Sequence, residues 1–448
     1  MSSIPAVKSM PTSSDDYLRT HQRQGRDWLE AHDEALLWWP MGAGKTRTTL
    51  AALLHRPRPV LIVGTLRIAT LDGGVWQRES AVMGLPYTFA LVHGTPAQRA
   101  RAAATVADIY VTSYDSLHTD EVQVVLRRVR GIVFDELSLL KGFSRRLRSV
   151  RPVLRDLTFR WGLTGTPASE GYEDLFYQIQ AIDLGKRFTR NKMQFLSRFF
   201  LPTGDPLHPK WVLRTGAREE IHECLRGLVH RVHGEGAPPV IIERVAIPLE
   251  EELQHTYRQL ERDFLVTIEG RELVASTSAV LSAKLRQIAS GFVYRDQRAV
   301  RLSFTRVEQL RRDLDATEGS VLILYEFSAD RDLILSYCPD VRLLSEEALR
   351  AWNTGRLKGL LMHSRSGGHG LNLQQGGREI IWYSLPWRWE QFSQANARLA
   401  RPGQTAEYVR ARLYITPNSI EERVAETLEA KAEEEWRLLA FAEKATSV

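Results

Sequence analysis

Short apolar runs separated by longer mixed segments set the pattern of the first half of the chain. Ala35–Trp39, Pro59–Val63, Thr88–Val92, Ile109–Ser113, Gly131–Phe134 and Trp161–Thr164 are mostly continuous apolar runs, as expected of parallel strands buried on both faces. The segments between them have room for crossover helices. Turn-forming stretches follow at Leu201–Pro206 and Gly234–Pro239. Leu253, Tyr257, Leu260 and Phe264, then Leu281, Leu285 and Ile288, recur at helical spacing and predict two helices with buried stripes. Strand-like runs return at Ser320–Phe327, Gly359–His363, Glu379–Ser384 and Glu407–Tyr414, and Ser419 with Glu422 predicts a capped closing helix. The expectation is an α/β protein of two tandem lobes, each a mostly parallel sheet flanked by helices. Residues 1–14 form a short flexible start, 15–215 the first lobe, 216–310 a helical linker with the start of the second, and 311–448 the second lobe.

Composition narrows the picture only a little. In 448 residues, 43% are hydrophobic and 25% charged, which is ordinary globular usage. The net charge of +6 tilts mildly toward a polyanionic partner. Two cysteines, Cys224 and Cys338, cannot make a disulfide framework, so a reducing cytoplasm is expected. Met1–Ser14 is polar and carries Pro5 and Pro11, unlike a signal peptide, and no apolar run reaches the ~20 residues of a membrane span. No membrane partner is expected, and a monomer is the default.

The chemistry begins where the first apolar run meets Gly42, Ala43, Gly44, Lys45 and Thr46 ahead of a helix. Glycines let backbone N–H groups curl around phosphate oxygens, and the helix N-terminus adds partial positive charge. Lys45 would reach the terminal phosphates of ATP and the Thr46 hydroxyl would ligate Mg²⁺. The glycine expected earlier in such a loop is missing, because that slot falls on Trp39 or Pro40. About ninety residues on, the run from Gly131 ends in Asp135 and Glu136. Asp135 is placed to hold Mg²⁺, and Glu136 to orient or deprotonate the attacking water. Leu163–Pro167 ends another run in small hydroxylic residues. Gln22, upstream, carries an amide that could read an adenine edge.

In the second half, His363–Leu373 is a flexible hydroxylic loop, and Gln394, Arg398 and Arg401 are spaced to share one face of a helix stopped by Pro402-Gly403. Arginines delivered to a phosphate site from another lobe stabilise phosphoryl transfer. Between Lys141 and Arg160 seven cationic residues, Arg145, Arg146 and Arg148 among them, face only Asp156. Arginine forks suit phosphate oxygens. His363 and His369 have too few neighbouring ligands for a metal site. Trp382 and Tyr383 are expected in the core, with the role of Trp387 left open.

These motifs, in this order, resemble superfamily 2 helicases of the Swi/Snf-like branch, most of all the compact versions encoded by bacteriophages. The resemblance runs from Leu18 to about Lys431. It rests on Leu18–Leu29, Pro40–Thr46, Val60–Thr65 with Trp76–Glu79, Asp108–Leu117, Ile132–Ser138, Leu163–Pro167, Ser320–Phe327, Leu361–Leu373 and Gln391–Gln404. It implies two RecA-like P-loop lobes with MgATP between them and duplex or branched DNA across both. By position, Lys45, Thr46, Asp135 and Glu136 bind and hydrolyse MgATP, Gln22 contacts adenine, and Arg398 and Arg401 act from the second lobe. Thr65, Arg67, Thr112, Ser113, Ser364 and Arg365 fall where the family contacts the nucleic-acid backbone, which carries no sequence specificity. Leu137-Ser138 stands where Ala-His is common, and Gly64-Thr65 where Cys-Pro is common. The resulting expectation is DNA-stimulated ATP hydrolysis driving translocation on, remodelling or unwinding of DNA. An RNA helicase, or a non-motor nucleic-acid-binding regulator with the same lobes, are the alternatives.

Overall fold

The computed structural model describes residues 17–65, 74–140, 145–205, 209–232, 237–268, 271–368 and 372–446. Arg67 and His369 lie outside these residues, and within the described helix Arg145–Val150 the Arg145 side chain is not described. The chain divides into two compact units, 1–235 together with 434–448, and 236–433.

The first unit is built on β1 (Glu34–Trp38), β2 (Val60–Gly64), β3 (Phe89–Leu91), β4 (Ile109–Ser113), β5 (Gly131–Asp135) and β6 (Phe159–Thr164). A hairpin, β7 (Phe200–Thr203) with β8 (Lys210–Leu213), follows, and then β9 (Val229–His230). All but the hairpin join one seven-stranded sheet in the order β3-β4-β2-β5-β6-β1-β9. Every pairing in it is parallel. Because successive side chains point to opposite faces, Leu36, Trp38, Leu61, Val63, Ile132 and Phe134 enter one core layer. Ala35, Leu37, Trp39, Val60, Ile62 and Val133 enter the other. Both faces are therefore apolar and covered, and each fully buried Leu, Ile or Val contributes about 1.5–3 kcal/mol.

The second unit repeats the plan. After β10 (Val240–Ala246) come two hairpins, β11 (Leu265–Ile268) with β12 (Arg271–Val274) and β13 (Phe292–Arg295) with β14 (Arg298–Arg301). They are followed by β15 (Ser320–Tyr325), β16 (Val341–Leu343), β17 (Gly359–His363), β18 (Gly377–Trp382) and β19 (Val409–Ile415). The sheet order is β10-β19-β18-β15-β17-β16, again wholly parallel. Leu322, Leu324, Leu360, Met362, Ile380 and Trp382 pack on one face, and Val321, Ile323, Leu361, Ile381 and Tyr414 on the other.

Each unit is thus a mostly parallel sheet flanked by helices, as in tandem RecA-like lobes. The helices Glu251–Asp263 and Ser278–Ala289 bury Leu253, Tyr257, Leu260, Leu285 and Ile288. Phe264 does not extend the first stripe. It sits past the helix end at φ 57° and is 39% exposed. Among the described residues no helix is long and apolar enough to cross a membrane.

Candidate active site

The loop after β1 turns sharply because Gly42 and Gly44 adopt φ of 80° and 91°, a region closed to most other residues. The helix Lys45–Ala52 starts directly behind, and the first N–H groups of a helix have no acceptor within it. Two side chains pin the loop from the helix Thr20–Ala31. Gln22 Nε2 and His21 Nε2 lie 3.0 and 2.9 Å from the Ala43 carbonyl, and Gln22 Oε1 accepts from the Arg19 N–H at 2.9 Å. A Cβ on Gly44 would fall 1.9 Å from Gln22 Nε2. In this arrangement the Gln22 amide ties the loop to the start of its own helix. Lys45 Nζ donates to the carbonyls of Trp39 at 2.8 Å and Pro40 at 3.3 Å, which holds the ammonium across the mouth of the loop.

β5 and β6 are neighbours, and β6 neighbours β1, so their C-terminal ends gather the carboxylates beside that loop. Asp135 is buried, and Trp76 Nε1 donates to its Oδ2 at 3.2 Å. Burial first, then the adjacent Glu136 charge, push the Asp135 carboxyl up to about 6, while Lys45 and the Trp76 bond oppose them. Glu136 sits at φ 58°, a left-handed backbone that costs a side-chain-bearing residue about 1–2 kcal/mol. Its Oε1 accepts from Thr164 Oγ1 at 2.8 Å and Ser138 Oγ at 2.9 Å. Thr164 Oγ1 also accepts from the Thr166 N–H at 3.1 Å. A Cβ on Gly165 would stand 3.3 Å from the Trp39 carbonyl and 3.8 Å from Lys45 Nζ, so this loop lies directly over the lysine.

These residues fit a magnesium nucleotide. The glycine turn and helix start suit phosphate oxygens, and Lys45 supplies a compact positive charge. Mg²⁺ keeps most of its waters and takes one or two protein oxygens beside phosphate, a demand that Thr46 and Asp135 can meet.

The remaining sequence expectations fare unevenly. The helix expected to present Gln394, Arg398 and Arg401 on one face spans only Trp389–Asn396. Past it the chain tightens into turns, with Arg398 N–H bonded to Ala395 O and Leu399 N–H to Asn396 O. Arg398 and Arg401 therefore project from turns and share no helical face with Gln394. Arg398 is fully buried; Arg401 donates to Asn372 Oδ1 at 2.5 Å, and burial pulls its guanidinium below the usual range. Gln394 is buried, 3.4 Å from Glu390.

Of the residues expected at nucleic acid, Thr112 is fully buried and donates to the Val92 carbonyl at 3.0 Å. Its hydroxyl is spent inside the sheet. Ser113 is buried with its Oγ 3.0 Å from Ser116 Oγ, and buried Ser364 donates to Glu326. Thr65 follows β2 half-buried, and Arg148 and Arg365 are exposed. Arg146 pairs with Asp115 at 2.6 Å. His363 Nδ1 accepts from the Arg365 N–H at 3.1 Å. Trp382 and Tyr383 are in the core, and Trp387 is 42% exposed with the Arg286 guanidinium 5.4 Å above its ring.

Three supporting residues lie within the motifs but were given no role of their own. His21 and Trp76 are separated in sequence from the atoms they hold, and Ser138 registers only as a departure from a pattern. Each becomes legible once the sheet order places it.

No family model matches the chain. It is 26% identical over 405 residues to protein p41 of Acyrthosiphon pisum secondary endosymbiont phage 1, covering 81% of this chain and 84% of that one. It is 23% identical over 487 residues to SWI/SNF chromatin-remodeling complex subunit snf22 of Schizosaccharomyces pombe, covering 94% of this chain but only 28% of that protein. Among solved structures, the Sulfolobus solfataricus SWI2/SNF2 ATPase core in complex with dsDNA aligns with 96% of this chain and 97% of its own, at 20% identity and a TM-score of 0.44. Along most of its length the chain is thus similar to a phage protein and to proteins named for SWI/SNF chromatin remodelling.

Proposed function

We propose that the chain hydrolyses MgATP under stimulation by DNA and uses the cycle to translocate on, remodel or unwind DNA without reading its sequence. The observation that supports this reading most is the gathering of Lys45, Asp135, Glu136 and Thr164 at the C-terminal ends of the adjacent strands β1, β6 and β5. That is where open α/β sheets take their ligands. Much longer relatives are named for chromatin remodelling and transcription regulation, and the proposal takes DNA as the partner on that ground.

In this reading the loop N–H groups and Lys45 bind the phosphates, and Thr46 with Asp135 holds Mg²⁺. The cation, when bound, neutralises charge on the β and γ phosphates. Glu136 Oε1, fixed by Thr164 and Ser138, keeps the carboxylate aimed at a water. The water oxygen bonds to the γ phosphorus, the bond to the β-phosphate oxygen breaks, and Glu136 takes up the water's proton. Arg398 and Arg401 supply planar donors to the charge that develops. Gln394 supports their segment. Gln22 releases its brace to meet adenine or keeps the loop shaped for phosphate. Thr65, Arg67, Arg145, Arg146, Arg148 and Arg365 contact the DNA backbone.

The test is ATP hydrolysis by the full chain alone and with duplex DNA, single-stranded DNA, forked DNA and RNA. Stimulation by DNA above RNA agrees with the proposal. Equal turnover in all five conditions overturns it.

A further inference from the structure

At the other end of the first sheet, the start of β6, a buried arginine ties three segments together. Arg160 is 6% exposed. It donates to the carbonyls of Leu154 at 2.9 Å, Leu157 at 3.1 Å and Ile182 at 2.7 Å, and it pairs with Glu34 at 2.6 Å. Those carbonyls belong to the turn after the helix Arg145–Val150 and to the end of the helix Leu175–Asp183. Buried Asp183 then clips the following loop, accepting from the N–H groups of Gly185 and Arg187, each at 2.8 Å. Gln180 Nε2 donates to the Arg190 carbonyl at 3.1 Å.

The segments so fixed enclose a cavity of about 420 Å³ lined by Arg148, Arg151, Pro152, Arg155, Gln180, Leu184 and Arg190. Four arginines line it from two stretches of chain, 148–155 and the loop at Arg190, and none of these described lining residues is acidic. Exposed arginines on one helix face are usually just solvated. Here the backbone of each stretch is held by buried hydrogen bonds, so four like charges stay around one concavity. A guanidinium fork matches two oxygens of a phosphate better than it matches a point charge. The cavity volume is at the small end of ligand sites and ample for one or two phosphate groups.

The position separates this cavity from the site at Lys45 and Glu136. Arg160 lies near the start of β6 and Thr164 at its end, four residue steps apart, a rise of ~13 Å.

We propose that Arg148, Arg151, Arg155 and Arg190 form a second phosphate-binding site, which takes the phosphodiester backbone of DNA at the end of the sheet away from the catalytic carboxylates. The choice of DNA over a free polyphosphate rests on the proposed function; the phosphate chemistry of the cavity does not.

The experiment uses the full chain with Arg151, Arg155 and Arg190 changed together to Gln. A control carries Arg258, Arg298 and Arg350, three exposed arginines of the second unit, changed to Gln. Binding of a duplex DNA, of tripolyphosphate and of poly-glutamate is measured across a salt series, with thermal unfolding as a check on folding; Arg190→Gln alone serves if the triple variant melts early.

The expected result is weaker duplex binding, with the slope of log affinity against log salt reduced by about one unit for each phosphate no longer engaged, and the control close to the parent. Loss confined to tripolyphosphate keeps the phosphate site and overturns its assignment to DNA. Parental affinity and slope for both phosphate ligands overturn the site itself while leaving DNA-stimulated hydrolysis standing. Equal loss for poly-glutamate, or an equal effect of the control, also overturns it. A parent that binds tripolyphosphate through these arginines but no DNA contradicts the proposed function and spares the site.

Discussion

The Thr164 hydroxyl donates to Glu136 Oε1 at 2.8 Å, joining the end of β6 to the end of β5 through the carboxylate assigned to the attacking water. Ser138 reaches the same oxygen at 2.9 Å. With one carboxylate oxygen held twice, the other is left in a defined direction. Thr164→Val should therefore reduce turnover by about 10–100-fold, the worth of one hydrogen bond to a charged group. Thr164→Ser should restore most of it, and MgATP affinity should change little in either. Steady-state hydrolysis beside nucleotide titration checks this; a parental rate for Thr164→Val would mean the bond does not position the carboxylate.

Gly44 is constrained twice, by its φ of 91° and by Gln22 packed against its Cα. Gly44→Ala should weaken MgATP binding at least ~10-fold, since a Cβ there costs about 1–2 kcal/mol in backbone strain before the clash is counted. Adding Gln22→Ala should recover part of that loss by removing the clash while leaving the strain. Fluorescent-nucleotide titration of the single and double variants measures both terms. Full recovery would assign the whole effect to the side chain.

Arg401 bonds Asn372 and sits in a turn, not on the expected helix. Under the proposed function Arg401→Ala should leave nucleotide binding by the first unit close to parental and lower turnover strongly, toward the ~10³-fold or more seen when a catalytic arginine is lost elsewhere. Arg401→Lys should rescue poorly, because it keeps the charge and loses the fork. Hydrolysis at saturating DNA is the measurement, and near-parental turnover would remove Arg401 from the chemistry.

A different carboxyl reports on stability. Asp330 is buried in the second unit, accepting from Ser290 at 2.9 Å and Ser384 at 2.8 Å. Burial raises it to about 6, against the two serine bonds and the charges of Arg306 and Arg301. A carboxyl raised on folding favours the folded state while protonated, so its stabilisation is fullest below the unfolded value of about 4 and is lost as pH rises through about 6. Asp330→Asn should then melt closer to the parent, or above it, at about pH 7 than at about pH 4. Melting curves of both proteins across that interval show the trend. A constant difference would place the Asp330 carboxyl at its ordinary value.

Both sheets were legible in the sequence because parallel strands covered on two faces need unbroken apolar runs, and Ile109–Ser113 and Gly359–His363 match such runs residue for residue. β10 escaped notice for the opposite reason. It is an edge strand with Ile241 and Ile242 about two-fifths exposed, following Gly and Pro punctuation. The glycine loop and the Asp-Glu pair announce themselves locally. The braces around them do not: Trp76 meets Asp135 and His21 meets Ala43 only through the fold. Thr112 shows the reverse error, since a hydroxyl at a strand end looks available until β3 covers it. The turns after Asn396 were hidden because Pro402-Gly403 marks a visible stop and nothing polar marks the earlier one.

The central claim is that Glu136 directs hydrolysis in a site whose phosphate grip is independent of it. Glu136→Gln, measured beside the parent and Lys45→Ala for MgATP binding and for turnover with duplex DNA, tests it most directly. The account predicts near-parental binding and a loss of about 10²–10⁴-fold in turnover for Glu136→Gln, the span of general-base contributions, with binding itself impaired in Lys45→Ala. Equal hydrolysis by Glu136→Gln and the parent would contradict it.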